Sequence, residues 1–169
     1  LAFSYVDKEL LVHRSTSYDA DHKKRTVRWS NGKVNRGGMR LDVLLANAKD
    51  NTPIIAELKI REDMDPFFAL VQALGCAAHL VTGAQYKRLN NADNLPDSPF
   101  LQSGNAFRGP GKQPWVDIYV LFIDAAREEK GRYRPELKSK AEQLAPRLFA
   151  QPGINEYVRR IAGLDLKLT

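Results

Sequence analysis

The stretch "TPIIAELKI", residues 52–60, wraps an apolar run of strand character around two charges, Glu57 and Lys59. The Glu-x-Lys spacing alone is cheap, since "EEK" at 128–130 and "ELK" at 136–138 repeat it. Those two copies lie in polar segments at or before a helix, where solvated charges need no explanation. The first copy sits among Ile54, Ile55, Leu58 and Ile60. Charges inside an apolar strand are costly unless something compensates them.

The preceding segment, "MRLDVLLAN" at 39–47, reads as a second strand, separated from the first by the four residues "AKDN". Side chains alternate along a strand, so Glu57 and Lys59 share a face with Ile55, and Arg40, Asp42 and Leu44 share one as well. A symmetric hairpin loop over "AKDN" sets Asp42 directly opposite Glu57, with Cβ atoms about 4.5–5.5 Å apart. Two carboxylates that close repel unless positive charge lies between them. Lys59 supplies one such charge, and a divalent cation supplies more. Hard oxygen ligands in this number suit Mg²⁺ or Mn²⁺, which complete their shell with water and substrate phosphate. The alternative is an Asp42–Lys59 or Glu57–Lys59 ion pair on a solvent-facing hairpin.

A chain of 169 residues fits one domain over 1–169 and can bury roughly two thirds of its unfolded surface. Its 43% hydrophobic and 27% charged residues are those of a soluble globular protein, and no apolar run approaches the roughly 20 residues needed to span a bilayer. The chain opens at Leu1 with no signal-peptide pattern, which leaves room for a preceding segment or a larger parent chain. The single cysteine, Cys76, excludes an intrachain disulfide and a multi-cysteine zinc site and fits a reducing, cytoplasmic setting. Twenty-six Lys and Arg against 20 Asp and Glu give a net charge of +6, which favours a polyanionic partner or makes a basic solvated surface.

Elsewhere, "FSYVDKELLVH" at 3–13 reads either as a short amphipathic helix or as a strand. "RTVRWSNGKV" at 25–34 runs into an Asn31-Gly32 turn, a strong hairpin signal. Asp65 and Pro66 open a helix that is expected to run to Gly83. Residues 89–114 read as a long loop, "WVDIYVLFID" at 115–124 as a strand buried on both faces, and 135–150 and 154–163 as helices broken at Pro152-Gly153. The expected architecture is an α/β sandwich, a central mixed sheet flanked by helices.

An Asp, then Glu-x-Lys on the next strand, then a helix and another strand resembles the PD-(D/E)XK nuclease superfamily over roughly residues 25–124. The resemblance implies a restriction-endonuclease-like fold and Mg²⁺-dependent hydrolysis of phosphodiester bonds. It implies that Asp42 and Glu57 bind the metal with the backbone carbonyl of Leu58, and that Lys59 is the motif lysine. Leu41 stands where the eponymous Pro would be. Several branches carry a Gln on the next helix with a Tyr four residues later; here Gln72 is present and Cys76 takes the Tyr position. Glu9 could answer to a leading-helix Glu of some members. Phe68, Gln72, Cys76 and His79 fall on one helical face, and His13, His22 and His79 lack metal-ligand spacing.

The candidate catalytic set is therefore Asp42, Glu57, Lys59 and Gln72. Arg40, with Arg108 and Lys112 of "FRGPGKQPW" at 107–115, is a candidate nucleic-acid contact. The expected partner is nucleic acid, DNA before RNA. No phosphate-cradling Gly motif, Ser elbow or HExxH is present, so no other cofactor is expected. The competing reading is a non-catalytic nucleic-acid-binding or assembly module that keeps the fold.

Overall fold

The computed structural model describes residues 2–12, 27–28, 34–35, 39–60, 66–107, 115–123 and 135–166. Its strands are β1 (Phe3–Val12), β2 (Val27–Arg28), β3 (Val34–Asn35), β4 (Met39–Asn47), β5 (Pro53–Ile60), β6 (Val116–Ile123) and β7 (Val158–Leu166). Its helices are α1 (Pro66–Leu80), α2 (Gly83–Leu89), α3 (Pro99–Gln102) and α4 (Pro135–Phe149), with a 3₁₀ turn at Ala92–Asn94. Five strands form one mixed sheet in the order β1-β4-β5-β6-β7. β1, β4 and β5 are antiparallel neighbours, whereas β5-β6 and β6-β7 are parallel. The molecule is thus of the α/β class.

The β4–β5 connection fixes the register on which the rest depends. Asn51 takes the left-handed conformation, φ 56°, which an Asn tolerates better than most residues. Its amide bonds to the Asn47 carbonyl at 2.8 Å, and the Asn47 amide to the Thr52 carbonyl at 2.9 Å. The Asn47 and Asp50 carbonyl and carboxylate oxygens accept from the Lys49 and Thr52 amides, so the loop's own polar side chains satisfy its backbone. The ladder then pairs Ala46 with Pro53, Leu45 with Ile54, Leu44 with Ile55 and Val43 with Ala56. That is the symmetric register expected of "AKDN".

β5 and β6 lie at the middle of the sheet and are apolar on both faces, as parallel strands covered on both sides are. One face carries Leu44, Ile55, Ile118, Val120 and Phe122, which pack under α1 and α4. α1 presents Ala69, Leu70, Ala73, Cys76, Ala77 and Leu80 to this face, and its small residues let the helix approach closely. Tyr86 and Leu89 of α2 and Phe100 and Leu101 of α3 join the same cluster. Among the described residues, all four helices therefore lie on one face. The other face carries a separate buried cluster of Leu45, Ile54, Ala56, Tyr119 and Leu121.

The structure departs from the sequence reading in three places. Of the two readings open for 3–13, the strand forms, over Phe3–Val12, so Glu9 does not stand on a leading helix. α1 ends at Leu80, and Gly83 opens α2 instead of ending α1, because Thr82 accepts the Gln85 amide as N-cap. The 89–114 loop is organised within its described part by the 3₁₀ turn, by α3 behind Ser98 and Pro99, and by Asn90, which exchanges two hydrogen bonds with the Phe107 backbone. The expected 154–163 helix is instead a turn followed by β7. Ile154, Val158 and Ile161 suit a helical period as well as a strand, and short apolar runs of this kind do not distinguish the two. The unpaired edge of β6 decides it, since a parallel partner satisfies that row of backbone groups. Gly163 fits the pairing: a Cβ there would lie 3.4 Å from the Phe122 ring. β2 and β3 pair as a hairpin would, with Arg28 opposite Val34; the Asn31-Gly32 turn and the Asp65 cap lie outside the described residues.

A charged clasp ties the N-terminal ends of the parallel strands together. Asp117 is 1% exposed, and its two oxygens accept from Arg159 Nε at 2.9 Å and Nη2 at 2.6 Å. Arg159 also bonds Asp50 of the β4–β5 turn. The Asp117 hydrogen bonds raise the guanidinium pKa still further. Burial opposes ionisation of Asp50, but bonds from Arg159 and Thr52 hold its pKa below the ordinary value.

Candidate active site

β4 and β5 stop pairing after Val43 and Ala56, and the side chain of Asp42 takes over where the ladder ends. Asp42 Oδ2 accepts the Leu58 amide at 2.9 Å. The separation lets the Asp42 carboxylate reach the β5 backbone beside Glu57, while the register set at "AKDN" keeps the two acids adjacent. Glu57 is 1% exposed and Lys59 3%, so both charges of the Glu-x-Lys pair are inside the protein. A solvent-facing ion pair does not describe this hairpin.

The electrostatics of the pair are unfavourable as they stand. Burial, the Asp42 charge and a shared hydrogen bond with Asp42 push the Glu57 carboxyl up to about 8, against partial relief from Lys59. Glu57 Oε1 is buried and has no hydrogen-bond partner among the described residues. Burial, followed by the charges of Glu57 and Asp42, also pushes the Cys76 thiol up to about 12, which makes it a poor nucleophile. Cys76 thus lies within electrostatic reach of both acids and adds no reactivity of its own.

An orphaned carboxylate oxygen beside a second carboxylate fits a hard divalent cation. Among the described residues, no three His, Cys, Asp or Glu side chains converge on one point. Two acids with one backbone carbonyl, such as that of Leu58, would leave about half of an octahedral shell to water and substrate, and Mg²⁺ keeps several such waters.

Lys59 Nζ lies 5.9 Å from the centre of the Phe68 ring on the first turns of α1. Gln72, one turn further along α1, is half-buried. The face predicted for Phe68, Gln72, Cys76 and His79 is therefore graded, since Phe68 is 60% exposed and Cys76 fully buried. Phe67 and Val71, exposed beside Phe68, were not singled out in the sequence, where they belong to the apolar run of the helix. The Arg40 side chain and the whole of Arg108 and Lys112 lie outside the described residues. A cavity of about 400 Å³ lined by Leu74, Val81, Ile154 and Tyr157 has no carboxylate in its wall and is separate from this site. No described helix is long and apolar enough to cross a membrane. No protein-family model, curated protein or solved structure matches the chain.

Ionisation of Glu57 should be visible in stability. Between the ordinary carboxyl pKa of 4.5 and about 8, folded Glu57 keeps a proton that the unfolded chain releases. Stability of the metal-free protein therefore falls as pH rises through that window, with the full penalty reached above it. A shift of this size corresponds to on the order of 5 kcal/mol. In chelator, the melting temperature should drop between about pH 5 and about pH 9, and Glu57→Gln should flatten the drop. Mg²⁺ should raise the wild-type melting temperature most at the alkaline end. A pH-independent profile that Mg²⁺ does not move would remove the cation reading.

Proposed function

We propose that this chain is a metal-dependent phosphodiesterase of the PD-(D/E)XK type, with a restriction-endonuclease-like fold, that hydrolyses nucleic acid, DNA before RNA. The observation that carries the reading is the half-buried Asp42 beside the buried Glu57, with the orphaned Glu57 oxygen and with Lys59 on the same strand as Glu57. The order of elements supports it. An antiparallel β1-β4-β5 meander leads through α1 to β6, which lies parallel to the strand bearing Glu57 and Lys59. The net charge of +6 suits a polyanionic substrate, and the lone buried Cys76 suits a reducing cytoplasm.

Asp42, Glu57 and the Leu58 carbonyl would hold Mg²⁺ or Mn²⁺. The bound ion supplies polarisation of the phosphate and a water of lowered pKa. Asp42 is oriented for this by the Leu58 amide, which fixes one of its oxygens, and it lies close enough to Glu57 to share a hydrogen bond with it. Lys59 adds a compact positive charge where negative charge builds on the phosphoryl oxygens. Because it is buried, that charge is screened less than it would be in water. Gln72, one turn beyond Phe68 on α1, would orient the substrate.

Incubation of the protein with mixed DNA and RNA, with Mg²⁺, with Mn²⁺ and with chelator, tests the reading. Cleavage should require the metal, and binding should weaken steeply with added salt as counterion release dictates. Salt-sensitive binding without cleavage under any metal would leave the non-catalytic module. Neither binding nor cleavage would end both readings.

A further inference from the structure

Phe67, Phe68 and Val71 are 61%, 60% and 49% exposed, whereas Leu70, Leu74, Cys76 and Leu80 of the same helix are buried or half-buried. Positions 67 and 71, and 68 and 71, are helical neighbours, so the three make one continuous apolar face. The face borders Lys59, whose Nζ lies 5.9 Å from the centre of the Phe68 ring and which stands two residues from Glu57 on β5. We propose that it is a stacking platform for an unpaired nucleobase next to the scissile phosphate, so that the substrate is single-stranded or frayed nucleic acid.

The inference rests on the nuclease reading and narrows it. One sugar separates a phosphate from its base, so a phosphate drawn to Lys59 and the bound cation brings its base over the adjacent aromatic face. In a duplex the bases are already stacked on one another and show only their edges in the grooves, which offers Phe68 no π-face. Aromatic stacking is indifferent to base identity, since every base has such a face. A second copy of this chain seated on the patch would instead close off the Lys59 side of the site, which makes self-association the weaker occupant.

The test compares initial rates on a single-stranded oligonucleotide and on its blunt duplex with Mg²⁺, for wild type, Phe67→Ala, Phe67→Ala/Phe68→Ala and Phe68→Trp. Wild type should cut the single strand with at least about tenfold higher kcat/KM than the duplex. Phe67→Ala, which leaves Lys59 and its ring neighbour in place, should raise KM for the single strand about tenfold with kcat retained. The double variant should lose more, and Phe68→Trp, which enlarges the stacking face, should lower KM for the single strand. Melting temperatures within a few degrees of wild type would show that the variants fold. Equal cutting of both substrates, with kinetics unchanged in the alanine variants, would overturn the platform while leaving the nuclease reading intact. A wild-type dimer in sedimentation that the double variant dissolves would reassign the face to self-association. Absence of cleavage and of binding by wild type would defeat the nuclease reading and the platform with it.

Discussion

Asp42→Asn and Glu57→Gln should each lower Mg²⁺-dependent cleavage by at least about thousandfold, equivalent to about 4 kcal/mol of barrier. Each substitution removes one of the two negative side chains available to hold the ion, so metal affinity and turnover should fall together. Calorimetric titration with Mg²⁺ and single-turnover cleavage would read the two separately. Asparagine is the informative choice at 42 because its amide oxygen can still accept the Leu58 amide, which Asp42 now does at 2.9 Å. Alanine there would also orphan that amide, at a cost of about 1–3 kcal/mol, and would mix folding with chemistry. Glu57→Gln carries a second, opposite signature. It removes the cost of holding Glu57 protonated up to about pH 8, and of its repulsion with Asp42 above that, so the metal-free variant should melt no lower than wild type while being inactive. Cleavage retained within tenfold in either variant would mean that the pair does not hold the metal.

Lys59→Ala should separate metal binding from chemistry. Removing a cation beside the carboxylates leaves their attraction for Mg²⁺ intact or stronger, so titration should show unchanged or tighter binding. Cleavage should nevertheless drop about 10²–10³-fold, or roughly 2.7–4 kcal/mol, if Lys59 acts as other preorganised charges do on a developing anion. The variant should be less stable when metal-free, because Lys59 partly relieves the Asp42–Glu57 repulsion. Lys59→Arg keeps the charge but replaces a compact ammonium by a planar fork in a pocket only 3% exposed, so it should rescue stability better than rate. Equal losses of metal binding and rate in Lys59→Ala would mean that the side chain builds the site instead of acting on substrate.

The part of the molecule that positions the acids was legible in the sequence because its signals are local. The "AKDN" loop lies between two apolar strands, and its own Asn and Asp side chains close the turn, so the register and the meeting of Asp42 with Glu57 follow from about twenty consecutive residues. β7 was not legible, because what makes 158–166 a strand is the open edge of β6, reached from a distant part of the chain. The start of α2 turned on a single hydroxyl, Thr82, which outweighed the helix-ending tendency of Gly83. The clasp was invisible for the same reason as β7, since Arg159 lies 42 positions from Asp117 and 109 from Asp50. Exposure of Phe67, Phe68 and Val71 reverses the usual inference from apolar periodicity, and only the packing of α1 on the sheet reveals which of its apolar side chains remain outside.

The clasp also determines where this polypeptide can be cut. A fragment ending near residue 150 would look complete by the usual guide, since it keeps α4 and every residue proposed for catalysis. It would nevertheless strand the Asp117 carboxylate in the interior without Arg159 and leave the β4–β5 turn without its third anchor at Asp50. Loss of one partner from a buried ion pair costs about 3–5 kcal/mol, a large part of the stability of a domain this size. Deletion series and insertion of tags should therefore treat Val158–Leu166 as belonging to the folded body, and fragments that stop short of it should be degraded in cells.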